Sequence, residues 1–234
     1  MARKSPILDG EMSVEEVGKY IDMAVEGKPI PRDIAEAIKY SYRVKEEASL
    51  TDPKTRLCNS RAFDRNFYNE LSRQRRSRRE YDTSIIGIDL DGFKEANDRL
   101  GHSEGDRILR MFSSILRNRL RSEDSAYRTG GDEFTLILPE TGPKNAARIL
   151  ERLYDVCDER RERFYRLCDV KGIEIPDETR EIIDGLGFSA GIATSKKEEI
   201  RGMKPTELNK HRKTVIERAD EAMYENKMER KASR

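Results

Sequence analysis

Residues 83–90 read Thr-Ser-Ile-Ile-Gly-Ile-Asp-Leu, a short apolar run that predicts a buried strand. The run ends in two carboxylates, Asp89 and Asp91, and few folds tolerate that. A buried carboxylate costs on the order of several kcal/mol unless it is paired or binds a metal. Strand alternation puts both acids on the same side. Asp91 also suits the N-cap of the short helix that follows, and for Asp91 alone that is the preferred reading. Asp89, still inside the strand, reads as a ligand. The backbone N–H groups of Gly92, Phe93 and Lys94 open the helix and form a ready anion site. Lys94 adds a mobile positive charge.

The remaining pattern mixes helices and strands. Phe63, Phe67 and Leu71 recur at helical spacing within a helix predicted from Ser60 to about Arg79. A second amphipathic helix starts near Ser103 and carries Leu109, Phe112, Leu116 and Leu120. Tyr127–Thr129 and Phe134–Leu138 flank Gly130-Gly131, which predicts a β-hairpin. Thr141 and Pro143 open a third helix with Ile149, Leu153 and Val156. Residues 187–193 are a further strand, and a last helix holds Val215, Ala219, Ala222 and Met223. A hairpin in the middle of such a series implies an α/β (α+β) sandwich with a partly antiparallel sheet. Segments 158–184 and 195–212 are charged and weakly patterned, so they read as an extended helix end and surface insertions.

The 234 residues suffice for one full domain plus an appendage. Residues 1–49 form that appendage, a helical N-terminal segment distinct from a main domain over 50–234. Ser13 and Glu16 fit a capping box, with Val14, Val17, Ile21 and Ala24 behind it. Pro31 opens a second helix with Ile34, Ile38 and Val44. Charged residues make up 39%, but the net charge is only +1, which argues against nucleic acid as the partner. No apolar run reaches the roughly 18 residues of a membrane span. There is no signal-peptide pattern at the N-terminus, and three cysteines without a CxxC pair point to reduced thiols in the cytoplasm.

The hairpin carries the second group of acids. Asp132 and Glu133 follow Gly130-Gly131 at once. By itself Gly-Gly-Asp is good turn chemistry with solvated acids. Together with Asp89 on an adjacent strand, Asp132 can clamp a divalent cation through carboxylate oxygens, with substrate phosphates completing the shell. That is the logic of metal-assisted phosphoryl or nucleotidyl transfer.

Thr129-Gly130-Gly131-Asp132-Glu133-Phe134 resembles the signature of the GGDEF family of diguanylate cyclases. Asp89-Leu90-Asp91-Gly92-Phe93-Lys94, with Asn97-Asp98, Gly101-His102 and Gly105-Asp106, resembles the family's D-x-D-x-F-K-x-x-N-D-x-x-G-H-x-x-G-D block. Residues 52–63 (DPKTRLCNSRAF) resemble its opening motif D-x-L-T-G-L-x-N-R-R-x-F. Phe188–Ala193 resembles the S-x-G-I-A strand, and Ala219–Tyr224 the A-D-x-A-L-Y helix. The motifs run in the family's order from about residue 50 to 231.

The resemblance implies a nucleotidyl-cyclase, palm-like mixed sheet flanked by helices. It also implies an enzyme that joins two GTP into cyclic di-GMP and releases two pyrophosphates, each 3′-hydroxyl attacking the other's α-phosphate. It makes Asp89, Asp132 and the backbone carbonyl of Leu90 ligands of Mg²⁺ (or Mn²⁺). Glu133 is then the acid that aids metal binding or deprotonates the 3′-hydroxyl. Lys94 stabilises the transition-state phosphate. Phe93, Asn97, His102, Asp106 and Gly131 belong to the substrate site, Asn97 and Asp106 as the pair that reads guanine. Asp106 accepting from N1–H and the 2-amino group favours GTP over ATP. Surface turn chemistry around Gly101 is the plain alternative for Asn97 and His102. Lys227 and Lys231 match positions that hold the β- and γ-phosphates, although a basic helix end also complements the helix dipole. Arg121 and Asp124 match the R-x-x-D inhibitory site for the product. Arg73, Arg75, Arg76, Arg78 and Arg79 read first as a solvated helix face.

Three departures stand out. Lys54 replaces the usual Leu and Arg56 the usual Gly of the opening motif, and Arg230-Lys231 replaces Gly-Arg near the end. An active cyclase is the expected function. A silent receptor for GTP or cyclic di-GMP is the alternative, and a passenger domain behind an N-terminal effector a third reading. Condensing two GTP requires two loaded domains face to face, hence a homodimer, with residues 1–49 helping to pair them.

Overall fold

The computed structural model describes residues 50–232, together with Lys19, Tyr20, Met23, Pro31 and Arg32. The chain divides into two compact units, Met1–Leu50 and Thr51–Arg234. The helices expected at 13–24 and 31–49 lie outside the described residues except at those few positions. Lys19, Tyr20, Met23 and Arg32 are helical.

In the second unit, β1 (Cys58–Asn59) leads into α1 (Ser60–Arg76), whose N-terminus is capped by Asn59 Oδ1 accepting from Ala62 N. β2 (Thr83–Asp91) follows, then α2 (Phe93–Leu100) and α3 (His102–Arg119). β3 (Ser125–Arg128) and β4 (Glu133–Leu138) form the hairpin. α4 (Pro143–Lys171), α5 (Asp177–Gly185), β5 (Gly187–Ser195), α6 (Lys197–Ile200) and α7 (Pro205–Ala232) complete the unit. The sheet order is β1-β3-β4-β2-β5. β2 runs antiparallel to both β4 and β5, whereas β1 pairs parallel with β3.

β2 is an inner strand, between β4 and β5, and all nine of its residues are buried. Ile86, Ile88 and Leu90 join Leu109, Phe112 and Leu116 of α3 and Leu153 of α4 in one core. The opposite face, with Ile85, Gly87, Asp89 and Asp91, lies under α7, and Ala219, Asp220 and Met223 approach Gly87. α7 fits this closely because residue 191 of β5 has no side chain. A Cβ there would stand 2.2 Å from both Ala219 O and Met223 N.

The extended helix end expected after residue 158 is present, but the remaining parts of the two segments are packed elements rather than surface insertions. α4 continues to Lys171, and α5 then packs Ile183 and Leu186 beside Met111, Phe112 and Phe164 around an apolar cavity of about 240 Å³. The last helix begins at Pro205, well before its apolar stripe, because Glu207 accepts from Lys204 N (2.6 Å) and Leu208 is fully buried. Lys197 of α6 is also buried. Its ammonium donates to the carbonyls of Gln74, Arg75 (3.0 Å) and Ser77 (2.8 Å) at the end of α1. The first helix stops at Arg76, short of the expected Arg79.

Candidate active site

The register of the sheet assembles the acids. Asp89 pairs with Glu133 on β4 and with Ser189 on β5. Leu90 N donates to Asp132 O (3.1 Å), which ties the hairpin turn to the end of β2. Arg128, unremarked in the sequence, clamps that turn by donating to Gly131 O at 2.7 and 3.2 Å. Its other nitrogen grips Asp52 at 3.0 and 3.1 Å and so anchors the opening motif to the hairpin.

Asp89 and Asp91 both face α7, as alternation requires. Lys227 Nζ donates to Asp89 Oδ1 at 2.6 Å. Burial works against that ammonium, but Asp89, Asp91 and Asp132 outweigh it and raise its pKa. The expectation of Asp91 as a helix cap is corrected. Gly92, at φ 71°, occupies the N-cap and makes no side-chain cap bond. The Asp91 carboxylate instead accepts from Ser189 Oγ (2.8 Å) and lies 3.4 Å from Arg230 Nε. The left-handed residue turns the helix away, which leaves Asp91 pointing along the strand's own face. Arg230 also sits over the Tyr154 ring, which stacks on Phe188 at 4.3 Å.

These elements enclose a cleft of about 570 Å³. Of the expected residues it is lined by Leu90, Phe93, Lys94, Asp132, Lys227 and Lys231. Sequence reasoning missed Glu95 and Asp98 there, although Asp98 lies inside the quoted block. Asp89, Asn97, His102, Asp106, Gly131 and Glu133 do not line it. Asn97 packs its amide against Gly105, the residue before Asp106: Oδ1 lies 1.8 Å from where a Cβ on Gly105 would stand. Asp106 accepts from Lys54 Nζ at 2.7 Å. His102 is exposed at the start of α3.

The donor set fits a divalent cation. Burial raises the Glu133 pKa, and the charges of Asp132, Asp89 and Asp220 raise it further. A lysine ammonium is already drawn onto Asp89. Among the described residues no three His, Cys, Asp or Glu side chains gather as a closed cage.

Elsewhere, Asp124 Oδ2 accepts from Arg121 N (3.1 Å), burial raises its pKa, and Oδ1 is buried with no hydrogen-bond partner. Three arginines of the run reach partners elsewhere in the domain. Arg73 and Arg79 pair with Glu140, and Arg75 donates to Met203 O. The turn at Arg56 is not distorted. Arg56 adopts φ 58°, the glycine-like conformation, and its N–H bonds Asp52 O at 2.8 Å.

A mixed five-stranded sheet flanked by helices, with acids converging where β2 meets a hairpin, defines a palm-like α/β fold. Residues 49–233 match the family described as "Diguanylate cyclase, GGDEF domain", and the chain belongs to that family. It is 36% identical over 119 residues to the diguanylate cyclase DgcP of Pseudomonas aeruginosa, covering 51% of this chain and 17% of that protein. It is 38% identical over 109 residues to DgcS of Shewanella oneidensis, covering 47% and 36%. The chain thus matches well under two thirds of these relatives' length. The coiled coil and GGDEF domain of DgcB from Caulobacter crescentus, in complex with c-di-GMP, shares the fold at TM-score 0.60 and 23% identity, covering 93% of this chain and 95% of that one. The GGDEF domain of DgcB alone gives TM-score 0.56 at 26% identity, covering 76% and 90%. No helix among the described residues is long and apolar enough to cross a membrane.

Proposed function

We propose that this chain is a diguanylate cyclase that condenses two GTP into cyclic di-GMP and two pyrophosphates. The observation that carries the reading is the tie of Leu90 to Asp132 in a cleft lined by Lys94, Lys227 and Lys231, with Lys227 reaching from that cleft to Asp89. Asp89, Asp132 and the Leu90 carbonyl would hold Mg²⁺ (or Mn²⁺), which would supply Lewis-acid stabilisation of the reacting phosphate. Lys94, at the start of α2, adds positive charge and helix N–H groups toward the same phosphate. Glu133, with its raised pKa, is suited to take the proton of the 3′-hydroxyl. Lys227, which donates to Asp89, and Lys231, in the same cleft, would hold the β- and γ-phosphates. Asn97 and Asp106 read guanine, and Phe93, Gly131 and His102 complete the substrate site. Arg121 and Asp124 form a site for product, a reading supported by the second oxygen of Asp124, which has no hydrogen-bond partner within the chain. The working enzyme is a cytoplasmic homodimer, each copy presenting one GTP.

The test is incubation with GTP and Mg²⁺, with products separated by chromatography and Asp132→Ala in parallel. Cyclic di-GMP is expected from the parent, with a loss of more than about 100-fold in the variant. Tight GTP or cyclic di-GMP binding without product would replace the cyclase by a receptor.

A further inference from the structure

We infer that Lys54 is a specificity-determining residue that donates a hydrogen bond to the six-position carbonyl oxygen of the guanine base. The inference rests on the proposed reading of guanine by Asp106.

Lys54 is held in place by its turn. Asp52 N donates to Leu57 O and Arg56 N to Asp52 O, both at 2.8 Å. Asp52 Oδ1 accepts from Thr55 N (2.8 Å) and Thr55 Oγ1 (2.6 Å), and Arg128 secures the same carboxylate from the hairpin. The side chains of Asp52 and Arg128 are only 17% and 11% exposed, so this anchor is built into the fold. Lys54 projects from it to Asp106, 52 residues away in sequence, at 2.7 Å. That hydrogen bond, ahead of every other influence, lowers the Asp106 pKa.

The pair is open to water, with side-chain exposures of 50% and 30%, and an exposed ion pair adds little to stability. Its chemistry matches a base edge. A carboxylate has about four acceptor sites, and Lys54 occupies one on Oδ1. Sites remain for the N1–H and the 2-amino group of guanine. The ammonium has three donors and spends one on Asp106. The next atom along the guanine edge is the acceptor O6, and in adenine it is a 6-amino donor that would face the ammonium. Lys54 and Asp106 together present donor, acceptor, acceptor, the complement of guanine's acceptor, donor, donor. The Leu usual in the motif at this position has no donor to offer.

The experiment is calorimetric binding of GTP, 6-thio-GTP and ATP to the full chain, with Ca²⁺ in place of Mg²⁺. 6-Thio-GTP keeps N1–H and the 2-amino group but replaces O6 with sulfur, a poor acceptor. The parent is expected to prefer GTP over 6-thio-GTP by about tenfold. Lys54→Met is expected to lose about tenfold in GTP affinity and to bind the two alike, with ATP unchanged. Unchanged or tighter GTP binding by Lys54→Met would overturn the inference. So would an equal loss for all three nucleotides, which would reflect charge alone. Asp106→Asn separates the two levels. If it abolishes the GTP preference while Lys54→Met does not, only the role of Lys54 falls. A parent with no preference for GTP over ATP removes the guanine reading and this inference with it.

Discussion

Arg56 shows how a single residue can depart from a motif without changing the turn. Its φ of 58° lies in the left-handed region, which costs an ordinary L-residue roughly 1–2 kcal/mol. The bonds between Asp52, Thr55 and Leu57 hold it there. Arg56→Gly should therefore stabilise the protein by about 0.5–1 kcal/mol, part of the relief being offset by the freer unfolded chain. Urea denaturation checks this, and a lower midpoint would mean that the Arg56 side chain makes a contact worth more than the strain. Glu133 makes a pH-dependent prediction. Burial and three neighbouring acids raise its folded pKa above the ordinary carboxylate value of 4.5. The folded state therefore binds more protons than the unfolded state between those two values. Without a divalent cation, stability falls as pH rises through that window, by under about 1 kcal/mol because the group is open to solvent. Glu133→Gln should flatten this decline in melting curves from pH 4 upward while it removes cyclase activity. A decline unchanged in the variant would move its cause to another acid.

At the scale of elements, α6 is four residues long yet joins two distant parts of the chain. Lys197 places a buried ammonium on the last carbonyls of α1, where the helix dipole is negative and the carbonyls lack helical partners. Its own N–H bonds Asp82 Oδ1 at 3.0 Å. Lys197→Met keeps the stem but leaves three carbonyls without that donor, so it should cost about 2–3 kcal/mol. Chemical denaturation reads this directly, and a loss below half a kcal/mol (on the order of a surface change) would show that water replaces the ammonium freely. Sequence patterning could not reveal this lysine. Segment 195–212 has no apolar stripe, and a burial satisfied by carbonyls from another helix leaves no periodic trace. β2 and the hairpin were legible because their burial is apolar and local. α7 was legible only where Val215, Ala219 and Met223 form a stripe.

For the whole molecule, the proposed chemistry needs two copies, since each presents one nucleotide. The segment before residue 50 belongs to a separate compact unit, and we propose that it helps to pair the two cyclase domains. A chain lacking residues 1–48 should sediment as a monomer, and cyclase activity per mole should fall with dilution more steeply than in the full chain. Unchanged dimerisation would transfer the pairing role to the domain of residues 51–234.

The order of the elements, the acids at the end of β2 and the Gly-Gly turn were determined by local sequence, because turn conformation and apolar periodicity act within a few residues. Tertiary structure alone decided which partner each charge meets. Asp91 turns to Ser189 and Arg230 rather than capping the helix beside it. Lys227 reaches Asp89 across 138 residues, and Lys54 reaches Asp106 across 52. Charge pairing acts through space, and the strand register and the seat of α7 on Gly191 set which side chains share that space.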